Sequence, residues 1–251
     1  MCGARDAGLQ LLVLPGARRR TGTGAGPAAV PVGVTTYPNG RRPPMTGTAT
    51  RHLYLTRHGE ATPDESGLSE RGRRQAALLG DRLRGAPLTA VHHGPLARAA
   101  ETARLVGARL DGVPVGAREE AGDYVPYRPA REELPADAAD AMLGFLGRFP
   151  AEEVARGAEL AAAAVARFTG PVAGDEPVHE LVVTHNFLIG WLVRAAMDAP
   201  PWRWMGLNHA NAGLTVIRYA PGRPAAVLLY NDTGHLPAPL RWTGLPSADH
   251  V

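Results

Sequence analysis

Cysteine is nearly absent from this chain of 251 residues, which contains one, Cys2. A single thiol cannot form a disulfide within the chain, and it offers no cluster of thiolates to a metal ion. We therefore expect neither a disulfide framework nor a cysteine metal site. Chains without disulfides are typical of the cytoplasm, which is the location that we predict.

Long apolar runs are absent as well. A membrane-spanning helix needs roughly 18 or more consecutive apolar residues. The most apolar stretch, LVVTHNFLIGWLV at 181–193, is interrupted by a His-Asn pair. The segment GLQLLVLPG at 8–16 lacks the basic start and the cleavage site of a signal peptide. We therefore predict no contact with a membrane.

Neither sign of charge dominates, because 27 basic residues face 24 acidic ones and the formal net charge is +3. Much of the arginine comes with a composition rich in Ala, Gly and Pro. A balance of this kind gives no reason to expect nucleic acid as a partner, but it suits a small anionic substrate.

The composition divides the chain into two parts. Residues 1–44 are rich in Gly, Ala, Pro, Thr and Arg, have almost no aromatic residues and show no periodicity. We predict that this segment is a disordered extension and that Met45 is the natural start; a genuine flexible tail is the alternative. Residues 45–251 are predicted to form one domain.

Strand and helix patterns alternate from residue 52 onward. The predicted strands are 52–56, 88–92, 113–116, 181–184, 214–219 and 225–230. The predicted helices are 69–84, 95–110, 138–147, 151–168 and 187–197. This alternation predicts an α/β fold, a three-layer α/β/α sandwich with a mainly parallel central sheet, whose ligands bind beyond the carboxyl ends of the strands.

Two histidines and two arginines lie at the ends of these predicted strands. His58 follows the first strand with Arg57 beside it, His185 follows the fourth main strand, and Arg98 lies one turn into the helix after the second strand. Guanidinium groups match the oxygens of a phosphate, and a neutral imidazole is a competent nucleophile. The set therefore predicts binding and transfer of a phosphoryl group.

Four segments in chain order resemble the motifs of the histidine phosphatase superfamily, whose fold is that of phosphoglycerate mutase. They are LTRHGE at 55–60, LSERGRRQA at 68–76, GPLARAAETA at 94–103 and LVVTHNFLIGWLV at 181–193. Because the match extends from about residue 51 to 219 in the correct order, it is much more specific than one Arg-His-Gly tripeptide.

This resemblance implies a role for each matching residue. His58 would be the nucleophile, Arg57 and Arg98 would bind the phosphate, and His185 would stabilise the group in transfer. The family takes the proton for the leaving alcohol from a carboxylic acid after the third strand. Here REEAGDYVPY offers Glu119, Glu120 and Asp123. Of these three we favour Glu120, and Glu119 after it.

Two positions differ from the family pattern. The serine that usually precedes Pro95 is replaced by His93-Gly94, and the glycine after the second histidine is replaced by Asn186. Asn186 is predicted either to donate its amide to the substrate phosphate or to cap the following helix, and capping is favoured. Structural roles are expected for four residues of the loop before the fifth strand: Trp202, Trp204, Asn208 and Asn211.

A metal ion is a second interpretation of the same histidines. Histidine and carboxylate side chains bind zinc. However, Arg57 beside His58 repels a dication, and the chain has no His-x-x-x-His pair and no cysteine pair. We therefore predict no metal and no cofactor.

The expected activity is metal-independent hydrolysis of a phosphomonoester, either a small phosphorylated metabolite or a phosphoprotein. Residues 231–239, NDTGHLPAP, resemble a segment of the mitochondrial protein-phosphatase branch, which favours a phosphatase. Two alternatives stay open: a phosphoglycerate mutase, and a phosphate-binding module of the same fold without turnover. The sequence leaves the oligomeric state open.

Overall fold

The computed structural model describes residues 47–250. The predicted disordered segment 1–44 and the predicted start at Met45 lie outside these described residues. The strands are β1 (Arg51–Arg57), β2 (Ala90–His93), β3 (Val115–Ala117), β4 (Val178–Thr184), β5 (Leu214–Tyr219) and β6 (Ala226–Asp232). The helices are α1 (Glu70–Leu83), α2 (Ala97–Gly107), α3 (Ala139–Leu146), α4 (Ala151–Phe168) and α5 (Asn186–Ala196).

The strands form one sheet in the order β3-β2-β4-β1-β5-β6. Strands β1 to β4 are mutually parallel, β5 is antiparallel to β1, and β6 is antiparallel to β5. Leu214, the first residue of β5, pairs with Thr56 near the end of β1. The carboxyl ends of four strands therefore meet at one edge, at which β5 begins. The predicted mainly parallel sheet is confirmed.

Helices cover both faces of the sheet. Because side chains alternate along a strand, Leu53 and Leu55 of β1 pack on the side of α4 and α5, and Tyr54 faces α1 and α2. The helices place small and branched apolar residues on the sheet, for example Ala161 on one side and Leu79 on the other. The three-layer α/β/α architecture is confirmed.

Helix α1 begins as the sequence predicts. The hydroxyl of Ser69 accepts a hydrogen bond from the amide of Gly72 at 3.0 Å and so satisfies a donor that the first turn leaves without a helical partner. The predicted apolar face is buried: Ala76, Leu79 and Leu83. The first turn of this helix lies beside the loop after β1, because the amide of Ser69 donates to the carbonyl of Glu60 at 2.9 Å.

Strand β4 begins at Val178, three residues earlier than predicted. The prediction missed its first half because polar side chains occupy it. Glu180 there is buried in an ion cluster, with Arg51 at 2.5 Å, His92 at 3.2 Å and Arg167 at 3.2 Å. Burial alone raises the pKa of Glu180, but the hydrogen bond with His92 and the two guanidinium charges lower it to about 2. A search for apolar runs does not detect a strand that buries ions.

The predicted loop 117–137 contains two short 3₁₀ turns, Glu119–Ala121 and Arg131–Glu133. Trp204 is buried against it, and its indole N–H donates to the carbonyl of Tyr127 at 3.0 Å. Trp204 thus has the predicted structural role, and its bond to Tyr127 also holds the loop 117–137, which was not predicted. Among the described residues, no helix is both long enough and apolar enough to span a bilayer.

Candidate active site

The loop after β1 is held by backbone contacts on both sides of His58. The amide of His58 donates to the carbonyl of Thr184 at 3.0 Å, and the amide of Gly59 donates to the hydroxyl of Thr102 at 3.0 Å. A Cβ at Gly59 would lie 2.5 Å from the carbonyl oxygen of Gly72 in α1. The glycine of the Arg-His-Gly motif is therefore required by the close approach of this loop to α1.

The ring of His58 is fixed in one tautomer. Its Nδ1 lies 2.7 Å from the carbonyl oxygen of Gly59, and since a carbonyl can only accept, Nδ1 carries the proton. Nε2 is then the acceptor, and the Nε–H of Arg98 donates to it at 3.2 Å. The imidazole is buried, at 1% exposure. This arrangement directs a nucleophilic lone pair towards a guanidinium.

His185 lies beside His58 at the end of the neighbouring strand β4. The two ring centroids are 5.0 Å apart, with the planes tilted by 55°. His185 is also the N-cap of α5, so both rings lie at the positive end of a helix dipole. Helix N-termini of this kind favour phosphate groups. The predicted meeting of the two histidines is thus what the structure shows.

Arg98 contacts three side chains, one of which is His58. It lies in the first turn of α2, its side chain is 4% exposed, and Nη2 pairs with Asp123 at 3.0 Å while Nη1 pairs with Glu65 at 3.4 Å. The same Asp123 oxygen lies 3.6 Å from Nδ1 of His185. The guanidinium therefore connects the first histidine to a carboxylate that also reaches the second.

Arg57 is buried on the other side of the loop. Its Nη1 donates to the carbonyl of His209 at 3.0 Å and to the carbonyl of Gly244 at 2.7 Å. The resemblance implied only that Arg57 would bind the substrate phosphate. The structure adds that one amino group of this guanidinium binds the protein backbone.

The three candidate proton donors occupy different positions. Asp123 is in the network of Arg98 and His185. Glu119 is exposed and Glu120 half-buried in the turn after β3. The carboxylates of these two glutamates form no ion pair with any residue of the range 47–250. The turn itself is held near the site, since the hydroxyl of Thr184 donates to its last carbonyl at 2.6 Å.

Asn186 does not cap α5, so the favoured capping interpretation is wrong. The extended backbone of His185 (φ −123°, ψ 162°) makes that residue the N-cap, and Asn186 is the first residue inside the helix. Its side chain accepts from the amide of His209 at 2.7 Å and donates to Asn208 at 3.1 Å. Asn186 thus tethers the loop before β5, and its role towards phosphate stays a prediction.

Two residues of that loop support His58 from behind. The side-chain amide of Asn211 donates to the carbonyl of His58 at 2.9 Å, which agrees with its predicted structural role. His209 was not singled out in the sequence; burial lowers its pKa to about 3, so it is neutral. Its two ring nitrogens are hydrogen-bonded to the carbonyl of Leu207 and to the hydroxyl of Thr215, each at 3.1 Å, and its carbonyl accepts from Arg57.

Glu65 is a second residue that sequence reasoning missed. It lies in the polar loop before α1 with a left-handed backbone, φ 57°. No periodicity marks such a position, and only the fold brings its carboxylate to Arg98.

Among the described residues, no cluster of three or more His, Cys, Asp or Glu side chains is arranged to hold a metal ion. Two imidazoles, guanidinium donors and a helix N-terminus are groups that bind a tetrahedral anion.

Comparisons with known proteins agree with this geometry. A model of the histidine phosphatase superfamily (branch 1) matches residues 53–233. The mitochondrial serine/threonine-protein phosphatase Pgam5 of Caenorhabditis briggsae is 28% identical over 203 residues, which are 75% of this chain and 65% of that protein. The rat protein PGAM5, also described as a mitochondrial serine/threonine-protein phosphatase, is 26% identical over 208 residues, with 75% and 65% covered. The chain thus spans just under two thirds of the length of these relatives.

Solved structures show the same fold. Bacillus stearothermophilus YhfR is similar with a TM-score of 0.53 and 26% identity, over 74% of this chain and 98% of that one. Phosphoglycerate mutase from Bacillus anthracis has a TM-score of 0.55 at 21% identity, over 76% and 96%. The second likeness concerns the fold alone.

The expected cytoplasmic location is contradicted by these comparisons, because the curated relatives are described as mitochondrial. The prediction rested on cysteine usage, which separates oxidising from reducing compartments and carries no information about mitochondria. The matched model covers more than half of the chain and includes the loop of His58, the helix of Arg98 and the strand before His185. The chain therefore belongs to the histidine phosphatase superfamily, branch 1.

Proposed function

We propose that this protein hydrolyses phosphomonoesters through a phosphohistidine formed on Nε2 of His58. The observation that carries the proposal is the pair of contacts on one imidazole. Nδ1 is hydrogen-bonded to the carbonyl of Gly59 at 2.7 Å, and Nε2 lies 3.2 Å from Nε of Arg98. The nitrogen that must attack is thus unprotonated and adjacent to a group that binds phosphate.

In the first step, Nε2 of His58 attacks phosphorus and the bond from phosphorus to the ester oxygen breaks. The leaving oxygen takes a proton from a carboxylic acid. Arg57, Arg98 and His185 stabilise the charge on the phosphoryl oxygens, which in a loose transition state is spread over all three. In the second step, water attacks phosphorus, its proton passes to the carboxylate, and the P–N bond breaks to release inorganic phosphate and free imidazole.

We propose Glu120 as the acid that protonates the leaving group. A general acid has to carry a proton before it reacts. Asp123 forms an ion pair with Arg98 at 3.0 Å. A carboxylate in an ion pair is suited to orienting its partner rather than to donating a proton. Glu120 lies outside that ion-pair network, in a turn bonded to the end of β4 through Thr184. We assign Asp123 the positioning of Arg98 and His185, and Asn186 the further binding of phosphate.

The phosphohistidine is tested by rapid quench. A ³²P-labelled phosphoserine peptide or small phosphate ester should leave acid-labile, base-stable label on the wild-type protein and none on His58→Ala. His93→Ala is a matched control, because Nδ1 of His93 is likewise hydrogen-bonded to the carbonyl of the following residue, Gly94, at 2.8 Å. Label on H58A, or turnover by wild type without label, would reject the mechanism.

The assignment of the acid is tested with leaving groups of different basicity. A good leaving group such as para-nitrophenolate needs little protonation, whereas an alkoxide such as serine needs a proton in the transition state. We expect Glu120→Gln to lose far more activity on phosphoserine than on para-nitrophenyl phosphate, and Asp123→Asn to lose both equally. The reverse pattern would assign the acid to Asp123.

The substrate class is proposed from the relatives, which are described as serine/threonine-protein phosphatases. A phosphoserine or phosphothreonine peptide is accordingly the first substrate to test, with small phosphorylated metabolites as the second. A mutase would return the phosphoryl group to a bound acid, so activity that depends on 2,3-bisphosphoglycerate would favour that alternative. Binding of phosphate without turnover would favour a non-catalytic module.

A further inference from the structure

The chain after β6 returns to the loop of His58 and forms what we call the C-terminal strap, residues 240–244. Asn211 donates its backbone amide to the carbonyl of Thr243 at 2.9 Å, and Arg57 donates to the carbonyl of Gly244 at 2.7 Å. The strap is therefore bonded to the residue that precedes His58. Through Asn211, whose side chain donates to the His58 carbonyl at 2.9 Å, it is also bonded to His58 itself.

A buried glutamine connects the strap to the other side of the loop. The side-chain nitrogen of Gln75 donates to the carbonyl of Leu240 at 2.8 Å and to the hydroxyl of Thr243 at 2.7 Å. Its oxygen accepts from the amide of Glu60 at 2.8 Å. Gln75 is fully buried in α1. The guanidinium of Arg57, the carbonyl of His58 through Asn211 and the amide of Glu60 through Gln75 are thus all connected by hydrogen bonds to the same five residues.

A side chain at position 244 of the strap would displace neighbouring groups. The φ of Gly244 is +80°, a left-handed conformation that favours glycine. A Cβ there would lie 2.5 Å from Nη1 of Arg57 and 2.5 Å from Oδ1 of Asn211. Both neighbours contact the loop of His58, so any side chain at position 244 displaces groups next to the nucleophile.

We propose that the C-terminal strap positions the catalytic groups, with Gly244 and Thr243 as positioning residues for Arg57 and the loop 58–60. This rests on the proposed function. A guanidinium is planar and rigid, so holding Nη1 on two carbonyls fixes the direction in which the rest of the plane points. The strap thereby sets the angle at which Arg57 presents its remaining donors to a phosphate. The strap lies outside the four motif segments that contain His58, Gln75, Arg98 and His185.

The experiment compares Gly244→Ala with Gly222→Ala in the full chain. Gly222 is a fair control because its φ is +68° and an added Cβ there meets nothing within 4 Å. Both variants carry similar backbone strain, but G244A also has to displace Nη1 of Arg57 and Oδ1 of Asn211, so we expect its melting temperature to fall further than that of G222A. Displacing a phosphate ligand by about 1 Å costs roughly 100-fold; we expect G244A to lose on that order in kcat/KM and to bind inorganic phosphate more weakly, while G222A matches wild type.

A double-mutant cycle separates positioning from general stability. If Gly244 acts through Arg57, then Gly244→Ala added to Arg57→Ala should cost little beyond Arg57→Ala alone. Should G244A fold poorly, Thr243→Val removes the hydroxyl that accepts from Gln75 while the backbone stays in place. A buried N–H of Gln75 then lacks its acceptor, so we expect a lower melting temperature and, per folded molecule, a several-fold loss of kcat.

The outcomes distinguish this inference from the function on which it depends. An active wild type with G244A equal to G222A, or fully additive effects of positions 57 and 244, overturns the strap and leaves the phosphatase intact. A wild type that neither hydrolyses phosphate esters nor binds inorganic phosphate overturns the proposed function, and the positioning role with it.

Discussion

Replacing Arg98 with lysine keeps the positive charge but removes the planar group that holds the site together. Nε of Arg98 lies 3.2 Å from His58, Nη1 3.4 Å from Glu65 and Nη2 3.0 Å from Asp123. An ammonium is a point charge on a flexible stem and cannot reach these three partners at once. We expect Arg98→Lys to fold and to lose most of the stabilisation of the transferring phosphoryl group.

The magnitude follows from the contacts that are lost. Removing one donor to a developing oxyanion costs roughly 10²- to 10³-fold in kcat. A lysine at position 98 cannot form the two parallel hydrogen bonds that a guanidinium donates to a phosphate, and it lacks the donor to His58. We therefore expect kcat/KM to fall by about 10³-fold, or about 4 kcal/mol. Arg98→Ala leaves Glu65 and Asp123, both largely buried, without their counter-charge; breaking such a pair costs about 3 to 5 kcal/mol of folding free energy.

The assay is steady-state hydrolysis of para-nitrophenyl phosphate together with urea unfolding of each variant. Arg104→Lys is the matched control, since Arg104 is exposed on the same helix α2. The control should retain wild-type activity. An R98K variant within about threefold of wild type in kcat/KM would refute the argument, because no transition-state contact would then depend on Arg98.

Three further substitutions test the surroundings of the site. Gly59→Ala brings a Cβ to 2.5 Å from the carbonyl oxygen of Gly72, and we expect a loss of about 1 to 3 kcal/mol in urea unfolding. His209 has a pKa lowered from 6.5 to about 3 by burial, so the unfolded chain binds the extra proton and stability falls as the pH drops below 6.5. At pH 5 that loss reaches about 2 kcal/mol, and His209→Gln should show a smaller loss between pH 7 and pH 5. Glu180→Gln removes the buried partner of Arg51, and we expect a loss of about 3 kcal/mol at pH 7 in the same assay.

Each of these has an outcome that contradicts it. Gly144→Ala is the control for position 59, because a Cβ at Gly144 in α3 meets nothing within 4 Å; equal effects of the two substitutions would show that the contact with α1 does not matter. The argument for His209 fails if the H209Q variant loses as much stability on acidification as wild type. The argument for Glu180 fails if E180Q unfolds at the wild-type urea concentration.

The sequence was sufficient to predict the meeting of His58 and His185, and the reason is the sheet. Apolar strand patterns end directly before both histidines, and parallel strands end at one edge of a sheet. That rule needs no loop geometry, so the strand pattern alone predicts that both rings lie in one crevice. Arg98 follows from the same reasoning, because the helix after β2 starts at that edge.

The carboxylates could not be predicted with the same success. Glu65 and Asp123 lie in polar segments whose paths depend on the elements packed around them, and neither has a periodic pattern. Asn186 shows the sensitivity of a boundary: the extended backbone of His185 shifts the start of α5 by one residue, and this turns a predicted cap into a tether for the following loop. Errors of one residue in a helix end therefore change the assigned role of a side chain.

The charges around the two rings explain what such a site can select. Arg57 and Arg98 bring two positive charges, and Glu65 and Asp123 bring two negative ones, so these four side chains together contribute no net charge. A strongly basic cleft attracts anions of many shapes through long-range potential. Here a phosphate has to compete with two carboxylates for the same guanidinium, and it gains only where its oxygens meet fixed donors at hydrogen-bond distance. Selectivity for a tetrahedral dianion therefore depends on the rigid placement of those donors. For this reason residues that do not themselves bind phosphate, such as those of the C-terminal strap, matter for it.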